Sequence, residues 1–249
     1  MIEQEKVAKE IIQGRGFDHL TGLISEQQAA EVRQEVLDRL DEGSPAGEGV
    51  VGLADLINWG PRFEALATQP RLLSLARHLL GDDATLGALS ARVLMPGCEP
   101  GRLHVDYPYW AMNYGMPVEP ALMMQVIWMM EPFTEENGGT WIAPASQGWN
   151  ARPNTERFSK SAIQATGETG DAIVSHGLLW HQTAKNLSDK PRVAILINYT
   201  QLAVRPLVEM GPFSEEFKAT ASEDLAKVLN FDFTASLRNR LIANGKLQS

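Results

Sequence analysis

The stretch 103–110, LHVDYPYW, sets a histidine and an aspartate two positions apart. In an extended strand alternate residues share a face. His104 and Asp106 therefore point one way, and Leu103 and Val105 point the other. Two such side chains can offer adjacent positions on one metal ion, and a third ligand must come from elsewhere. The chain has five histidines: His19, His78, His104, His176 and His181. His19 and His78 fall in helical-looking segments and read as surface residues. His176 and His181 both lie in DAIVSHGLLWHQTAKN, near the end of a strand-like run. Either one, added to His-x-Asp, gives two imidazoles and a carboxylate on one face of an octahedral ion, with three positions left open. That donor set suits non-haem Fe(II) and oxygen chemistry. Zinc is more often held tetrahedrally with a single open site.

Such a site needs a frame. LISEQQAAEVRQEVLDRLDEG opens with Ser25 and has Gln28 three residues later, the pattern of a capping box. Ala29, Val32, Val36 and Leu40 follow at helical spacing, and Gly43 is a natural stop. EGSPAGEGVVG (42–52) reads as a loop. PRFEALATQPRLLSLARHLLGDD reads as one or two short helices, punctuated by Pro70 and closed near Gly81. From about residue 84 the texture changes to short apolar runs between Gly, Pro, Asn and Asp clusters: ARVLM, RLHVD, ALMMQVIWMME, GTWIAPAS, DAIVSHG and RVAILINYT. These are strands too short and too closely spaced for α/β alternation. The expected fold is mainly β with flanking helices, an antiparallel sandwich or barrel. No linker divides the chain. It reads as one domain over 1–249, with a mainly helical lead-in at 1–83, a β core at 84–206 and a helical segment at 207–249.

Composition narrows the function classes. The 249 residues carry a net charge of −9 and a pI near 5.1. This disfavours nucleic acid or an anionic membrane surface as the main partner. No run approaches the length of a membrane span. A single cysteine, Cys98, excludes an internal disulfide. With a charged start that lacks an apolar core, the expected setting is cytoplasmic. The expected partner is a small molecule, and the oligomeric state stays open.

Four segments resemble the phytanoyl-CoA dioxygenase family of Fe(II)/2-oxoglutarate oxygenases: LHVDYPYW, EPFTEENGGTWIAPASQ, GDAIVSHGLLWHQTAKN and DKPRVAILINYTQLAVRP. The lead-in GFDHLTGLISEQQAAEVRQEVL resembles the family's usual start. The resemblance implies a jelly roll (double-stranded β-helix), with His104, Asp106 and His181 as iron ligands. Spacing to the arginine favours His181 over His176. It also implies Arg192, eleven residues after His181, as the partner of the 2-oxoglutarate distal carboxylate, with dioxygen as the oxidant and succinate and carbon dioxide released. One segment departs. The family's Pro-Gly-Ser-His is here Pro144-Ala145-Ser146-Gln147, which affects substrate contacts and not the triad.

The residues support this reading of Arg192. It opens RVAILINYT, where Val193, Ile195, Ile197 and Tyr199 take one face, and it shares the other with Ala194, Leu196 and Asn198. An arginine on a largely apolar face calls for an anion, and a carboxylate matches its planar fork. Gln125, the one polar residue in ALMMQVIWMM, is a candidate contact to 2-oxoglutarate near the metal. Thr140 is a weaker candidate of the same kind. Asn137-Gly138-Gly139 reads as a turn, as does Asn186. Tyr107, Tyr109, Trp110, Trp59, Trp149 and Gln147 are candidate substrate-lining residues, which points to a small, mainly apolar metabolite. No basic cluster is evident for a CoA diphosphate, and Arg102 and Arg205 read as surface or structural charges. Asp106 stands where related halogenases carry Gly or Ala, so the expected reaction is hydroxylation, or another C–H oxidation, in natural-product metabolism. The alternative class is a non-oxidative, cupin-like metal-binding protein or isomerase. It would be marked by loss of a ligand or of the arginine, and all four residues are present.

Overall fold

The computed structural model describes residues 3–107, 115, 117–206, 208, 210–231 and 242. The first elements are α1 (Glu3–Gln13), β1 (Phe17–Leu20) and α2 (Glu26–Asp38). A hairpin of β2 (Ser44–Gly47) and β3 (Val50–Leu53) follows, then α3 (Pro61–Ala67) and α4 (Pro70–Leu80). Ser25 caps α2 in a full capping box with Gln28, and Ala29, Val32 and Val36 are its buried stripe. Both α3 and α4 start on a proline at the first turn. There the missing N–H costs nothing.

The core strands are β4 (Thr85–Leu94), β5 (Met123–Met129), β6 (Trp141–Ile142), β7 (Ile163–Gln164), β8 (Ala172–His176), β9 (His181–Gln182) and β10 (Arg192–Thr200). Short helices α5 (Thr155–Ser159), α6 (Glu215–Thr220) and α7 (Glu223–Val228) complete the described chain. The strands form a seven-stranded sheet, β1-β8-β5-β10-β4-β3-β2, and a three-stranded sheet, β7-β6-β9. His104 bridges to His181 on the free side of β9. The fold is a jelly roll.

Period-two alternation sorts the long strands into two faces. Val93, Val126, Val174, Val193, Ile195 and Ile197 face the helices and join their core. Ile127, Met129, Ile173 and Ala194 face inward and meet Ile142 of the smaller sheet and Leu179, which precedes β9. The interior between the two sheets is where the functional side chains converge.

The region 1–83, expected to be mainly helical, also carries β1, which adds to the large sheet through β8. Two expectations about the lead-in are corrected. The segment 42–52 is not a loop, since β2 and β3 pair with each other and β3 pairs with β4. Its Gly, Ala and Pro content hid an edge hairpin, whose pairing rests on backbone and not on apolar side chains. His19 is not on a helix. It lies on β1 with its Nε2 2.9 Å from Asp171 Oδ2. Among the described residues, no helix is long and apolar enough to cross a membrane.

The connection from β9 to β10 fixes where Arg192 enters the sheet. Asn186, fully buried, donates from its amide to Leu94 O at 2.9 Å and Lys190 O at 2.8 Å. It accepts from Ser188 N–H and Oγ. Its turn role is therefore that of a four-bond hub. Asn186→Ala should destabilise the protein by roughly 2–4 kcal/mol, because it strands buried carbonyls. Urea unfolding followed by far-UV circular dichroism would measure the loss.

Candidate metal centre

His104, Asp106 and His181 converge from two short pieces of backbone. The bridge between the His104 and His181 main chains, with both N–H···O bonds at 3.1 Å, sets the two imidazoles side by side. Their ring centroids are 4.2 Å apart. Asp106 is held by its own N–H on Gly177 O at 3.0 Å. Asp106 Oδ1 lies 3.8 Å from His104 Nε2 and 3.9 Å from His181 Nε2. One ligand atom from each residue falls within 4.8 Å of the others, and no other such cluster of His, Cys, Asp and Glu occurs among the described residues.

The hydrogen bonds fix the tautomers. His104 Nδ1 is 2.8 Å from Arg102 O, and His181 Nδ1 is 3.0 Å from Leu179 O. A carbonyl only accepts, so each Nδ1 carries the proton and each Nε2 keeps its lone pair toward the common centre. Burial of its inner edge, and then repulsion from His181, push the His104 pKa down to about 4. It is neutral, as a metal ligand must be, in ordinary buffers. Asp106 Oδ2 is buried with no partner among the described residues. Two directed imidazole lone pairs and an unsatisfied carboxylate fit a divalent ion.

His176, the competing third histidine, is used elsewhere. Its Nε2 donates to Val118 O at 2.9 Å and its Nδ1 accepts from Leu178 N–H at 3.0 Å. No lone pair remains for a metal.

Arg192 is completely buried at the start of β10, and burial pushes its pKa down to about 10, still charged at neutral pH. One terminal nitrogen donates to Gly138 O at 2.7 Å, and the guanidinium stacks on Phe133 at 4.2 Å. Its Nε is buried without a partner among the described residues. Glu131 is near, but its carboxylate is taken by Val193 N–H at 2.6 Å and by Arg33 at 3.0 Å. The Asn137-Gly138-Gly139 turn delivers the Gly138 carbonyl, with Gly138 at φ 90° where a side chain would be strained. Thr140, at the end of this turn, is buried. Gln125 is also buried and faces inward on β5, opposite Asn198 and Ser175. Its amide forms no hydrogen bond with the described residues.

The aromatic candidates divide differently from expectation. Trp59 packs edge-on against Phe63, under Arg39, in the helical layer on the far side of the large sheet. Trp149 packs on Trp180 and under Arg157, on the outer face of the small sheet. Tyr107 is fully buried, with its hydroxyl accepting from Leu122 N–H. Gln147 donates to Ile12 O and Gly14 O, tying its turn to the end of α1. Trp59 lies on the far side of the large sheet from the triad and is corrected from substrate-lining to structural; Trp149, Tyr107 and Gln147 each have a packing role, and Gln147 Oε1 is buried without a partner among the described residues. Tyr109 and Trp110 lie outside the described residues. Arg102 is exposed, and only its carbonyl serves the site. Arg205 lines a cavity of about 540 Å³ under the C-terminal helices, which no triad residue touches.

Two residues that the sequence reading did not single out lie close to the site. Ser146 Oγ accepts Trp180 N–H at 2.7 Å, which anchors the backbone just before His181. Arg92 faces inward from β4. The visible signal was an arginine inside a strand run, on the face opposite Ala91 and Val93.

A family model described as phytanoyl-CoA dioxygenase (PhyH) matches residues 13–194, which includes the triad and Arg192. The chain belongs to the phytanoyl-CoA dioxygenase family. Its cofactors are accordingly iron and the cosubstrate 2-oxoglutarate, with dioxygen. Among curated relatives, the dioxygenase af480 of Aspergillus fumigatus is 26% identical over 228 residues, spanning 90% of this chain and 72% of that protein. The dioxygenase trt7 of Aspergillus terreus is 29% identical over 145 residues, 56% of this chain and 50% of its own length. Among solved structures, the epimerase SnoN in complex with Fe3+, alpha ketoglutarate and nogalamycin RO superposes with a TM-score of 0.65 at 20% identity. It covers 85% of this chain and 95% of its own. That likeness concerns the fold.

Burial pushes the His176 pKa down to about 4. Its folded pKa therefore lies below its unfolded value near 6.5. The unfolded state binds the extra proton between these values, so stability falls as pH drops from about 6.5 to about 4. The loss should be roughly 2–4 kcal/mol. Chemical denaturation across this range should show it, with a shallower pH slope in His176→Gln.

Proposed function

We propose that this chain is a 2-oxoglutarate-dependent oxygenase that oxidises a C–H bond of a small, mainly apolar metabolite, with hydroxylation as the default outcome and succinate and carbon dioxide as coproducts. The observation that carries the reading is the pairing of two structural facts in one barrel interior. Two imidazoles with locked Nδ1–H groups and one carboxylate face a common point. A fully buried arginine with a free Nε–H lies in the same interior.

His104 Nε2, His181 Nε2 and Asp106 Oδ1 would hold the iron, which supplies the activation of dioxygen. Arg192 would pair with the distal carboxylate of 2-oxoglutarate, with the Phe133 face and the Gly138 carbonyl fixing the guanidinium plane. Thr140, beside that turn, is a second candidate for the same carboxylate. Gln125 is a candidate contact nearer the metal. The protein's remaining task is positional: to hold one C–H bond of the substrate at the centre and keep others away. Asp106 would take the coordination position that a halide would need, which argues for oxygenation over halogenation. A natural-product setting is supported by a structural neighbour described as an epimerase from nogalamycin biosynthesis.

Arg192→Gln should raise the half-saturating 2-oxoglutarate concentration about 30-fold or more, since removing one partner of a buried charge pair costs roughly 2–5 kcal/mol. Iron binding should be retained. Asp106→Ala should lose iron. Succinate release, measured with metal content by mass spectrometry, reads both variants. Unchanged 2-oxoglutarate affinity in Arg192→Gln would contradict the assignment, as would full substrate turnover by wild type without 2-oxoglutarate.

A further inference from the structure

The inner wall of the large sheet is closed along most of its length and opens at one patch. On β4 the only residues that are not buried are Ser90 and Arg92, both on the inward face. On β10 they are Leu196 and Asn198, again inward. Ser90 pairs with Leu196, and Arg92 pairs with Ala194, so the patch is continuous across two neighbouring strands. Gln125 adjoins it through Asn198. This wall faces the small sheet that carries the triad. On the triad's side, the His104 side chain is 40% exposed. The accessible space between the two therefore meets a cation, a hydroxyl and carboxamides as well as a leucine.

Arg92 has no other evident task. Its NH1 donates to the neighbouring Ala91 carbonyl at 3.0 Å. Among the described residues no carboxylate lies within ion-pair distance of it. Asp106 is near enough to be felt electrostatically but makes no contact. Nor does Arg92 share the role given to Arg192. The Arg92 guanidinium lies over Gly52 on β3, where a Cβ would come within 3.0 Å of NH1. The Arg192 guanidinium lies at the start of β10, against Phe133 and Gly138. The two guanidiniums thus have different neighbours, and the distal carboxylate assigned to Arg192 is not assigned to Arg92. A half-buried guanidinium beside a reaction centre, without a carboxylate of its own, is a site for an anion.

We infer that Arg92 is the specificity-determining residue for the prime substrate, and that this substrate carries a carboxylate on an otherwise mainly apolar skeleton. The carboxylate sits on Arg92, with Ser90 and Asn198 beside it, and the skeleton reaches across Leu196 toward the triad. This rests on the triad being the reaction centre.

The test uses protein loaded anaerobically with Fe(II) and saturating 2-oxoglutarate. Straight-chain and aryl carboxylates of graded length, with their matching primary amides, are measured by equilibrium dialysis against wild type, Arg92→Gln and Arg92→Lys. At least one carboxylate should bind wild type about tenfold or more tighter than its amide, the ratio that one charge-assisted hydrogen bond supports. Arg92→Gln should bring that ratio near unity, and Arg92→Lys should keep part of it. The 2-oxoglutarate affinity, read from the iron–cosubstrate charge-transfer band, should be the same in all three. A preference that survives Arg92→Gln overturns the inference, as does a panel without preference in wild type. Loss of 2-oxoglutarate binding in Arg92→Gln also overturns it, since Arg92 would then serve the cosubstrate. If wild type itself fails to bind 2-oxoglutarate, the function proposed above falls. The same dialysis in Arg192→Gln protein without 2-oxoglutarate then decides the Arg92 preference alone: its presence supports the inference and its absence overturns it.

Discussion

The Arg192 guanidinium lies wholly out of water, and much of the interior is arranged around that fact. Removing a cation from water costs several kcal/mol even after local relaxation. The surroundings return only part of it. Gly138 O takes one N–H, the Phe133 ring faces the guanidinium plane, and Nε is left without a partner among the described residues. Glu131 is placed to soften the charge at a distance, yet its oxygens are engaged by Val193 N–H and Arg33. Burial raises the Glu131 pKa, and those same partners, with Arg192, act against the rise. An anion entering the barrel would complete the balance. A carboxylate at Arg192 whose other end reaches the His104–Asp106–His181 centre would complete both sets of unsatisfied groups at once.

The scaffold follows from that requirement. Asn186 ties the end of β4 to the start of β10, so Leu94 and Arg192 stand opposite each other. The Asn137-Gly138-Gly139 turn brings its carbonyl to the guanidinium because Gly138 tolerates a positive φ. Ser146 and the His104–His181 bridge hold the backbone on either side of the distal histidine. His176, close in sequence to His181, is neutralised and spent on two backbone bonds, which leaves a single histidine of the pair for the metal.

Much of this was legible in the chain. The alternation of RVAILINYT assigned Arg192 to the inward face, and the strand shows that pairing in its register with β4 and β5. The capping box at Ser25 and the proline starts of α3 and α4 are local signals, and they appear as read. The β2–β3 hairpin was illegible because its exposed Ser-Pro-Ala-Gly strand has no apolar pattern. β1 was hidden because four residues beside a helix carry too short a period. Local sequence also overstated the strand at 103–110, where pairing in the described part is the His104 bridge. The aromatic residues misled for a further reason. Composition shows that a tryptophan is present but not which side of a sheet it takes. Trp59 and Trp149 both went to outer layers, while the wall that faces the triad is polar at most of its open positions.

The account depends on one metal and one cosubstrate sharing this interior. Anaerobic titration of the purified protein with Fe(II) and then 2-oxoglutarate, followed by the visible charge-transfer absorption of chelated 2-oxoglutarate on iron, tests it most directly. The band should grow to saturation at one iron and one 2-oxoglutarate per chain. A protein that binds iron at the triad yet develops no such band with excess 2-oxoglutarate would contradict the account.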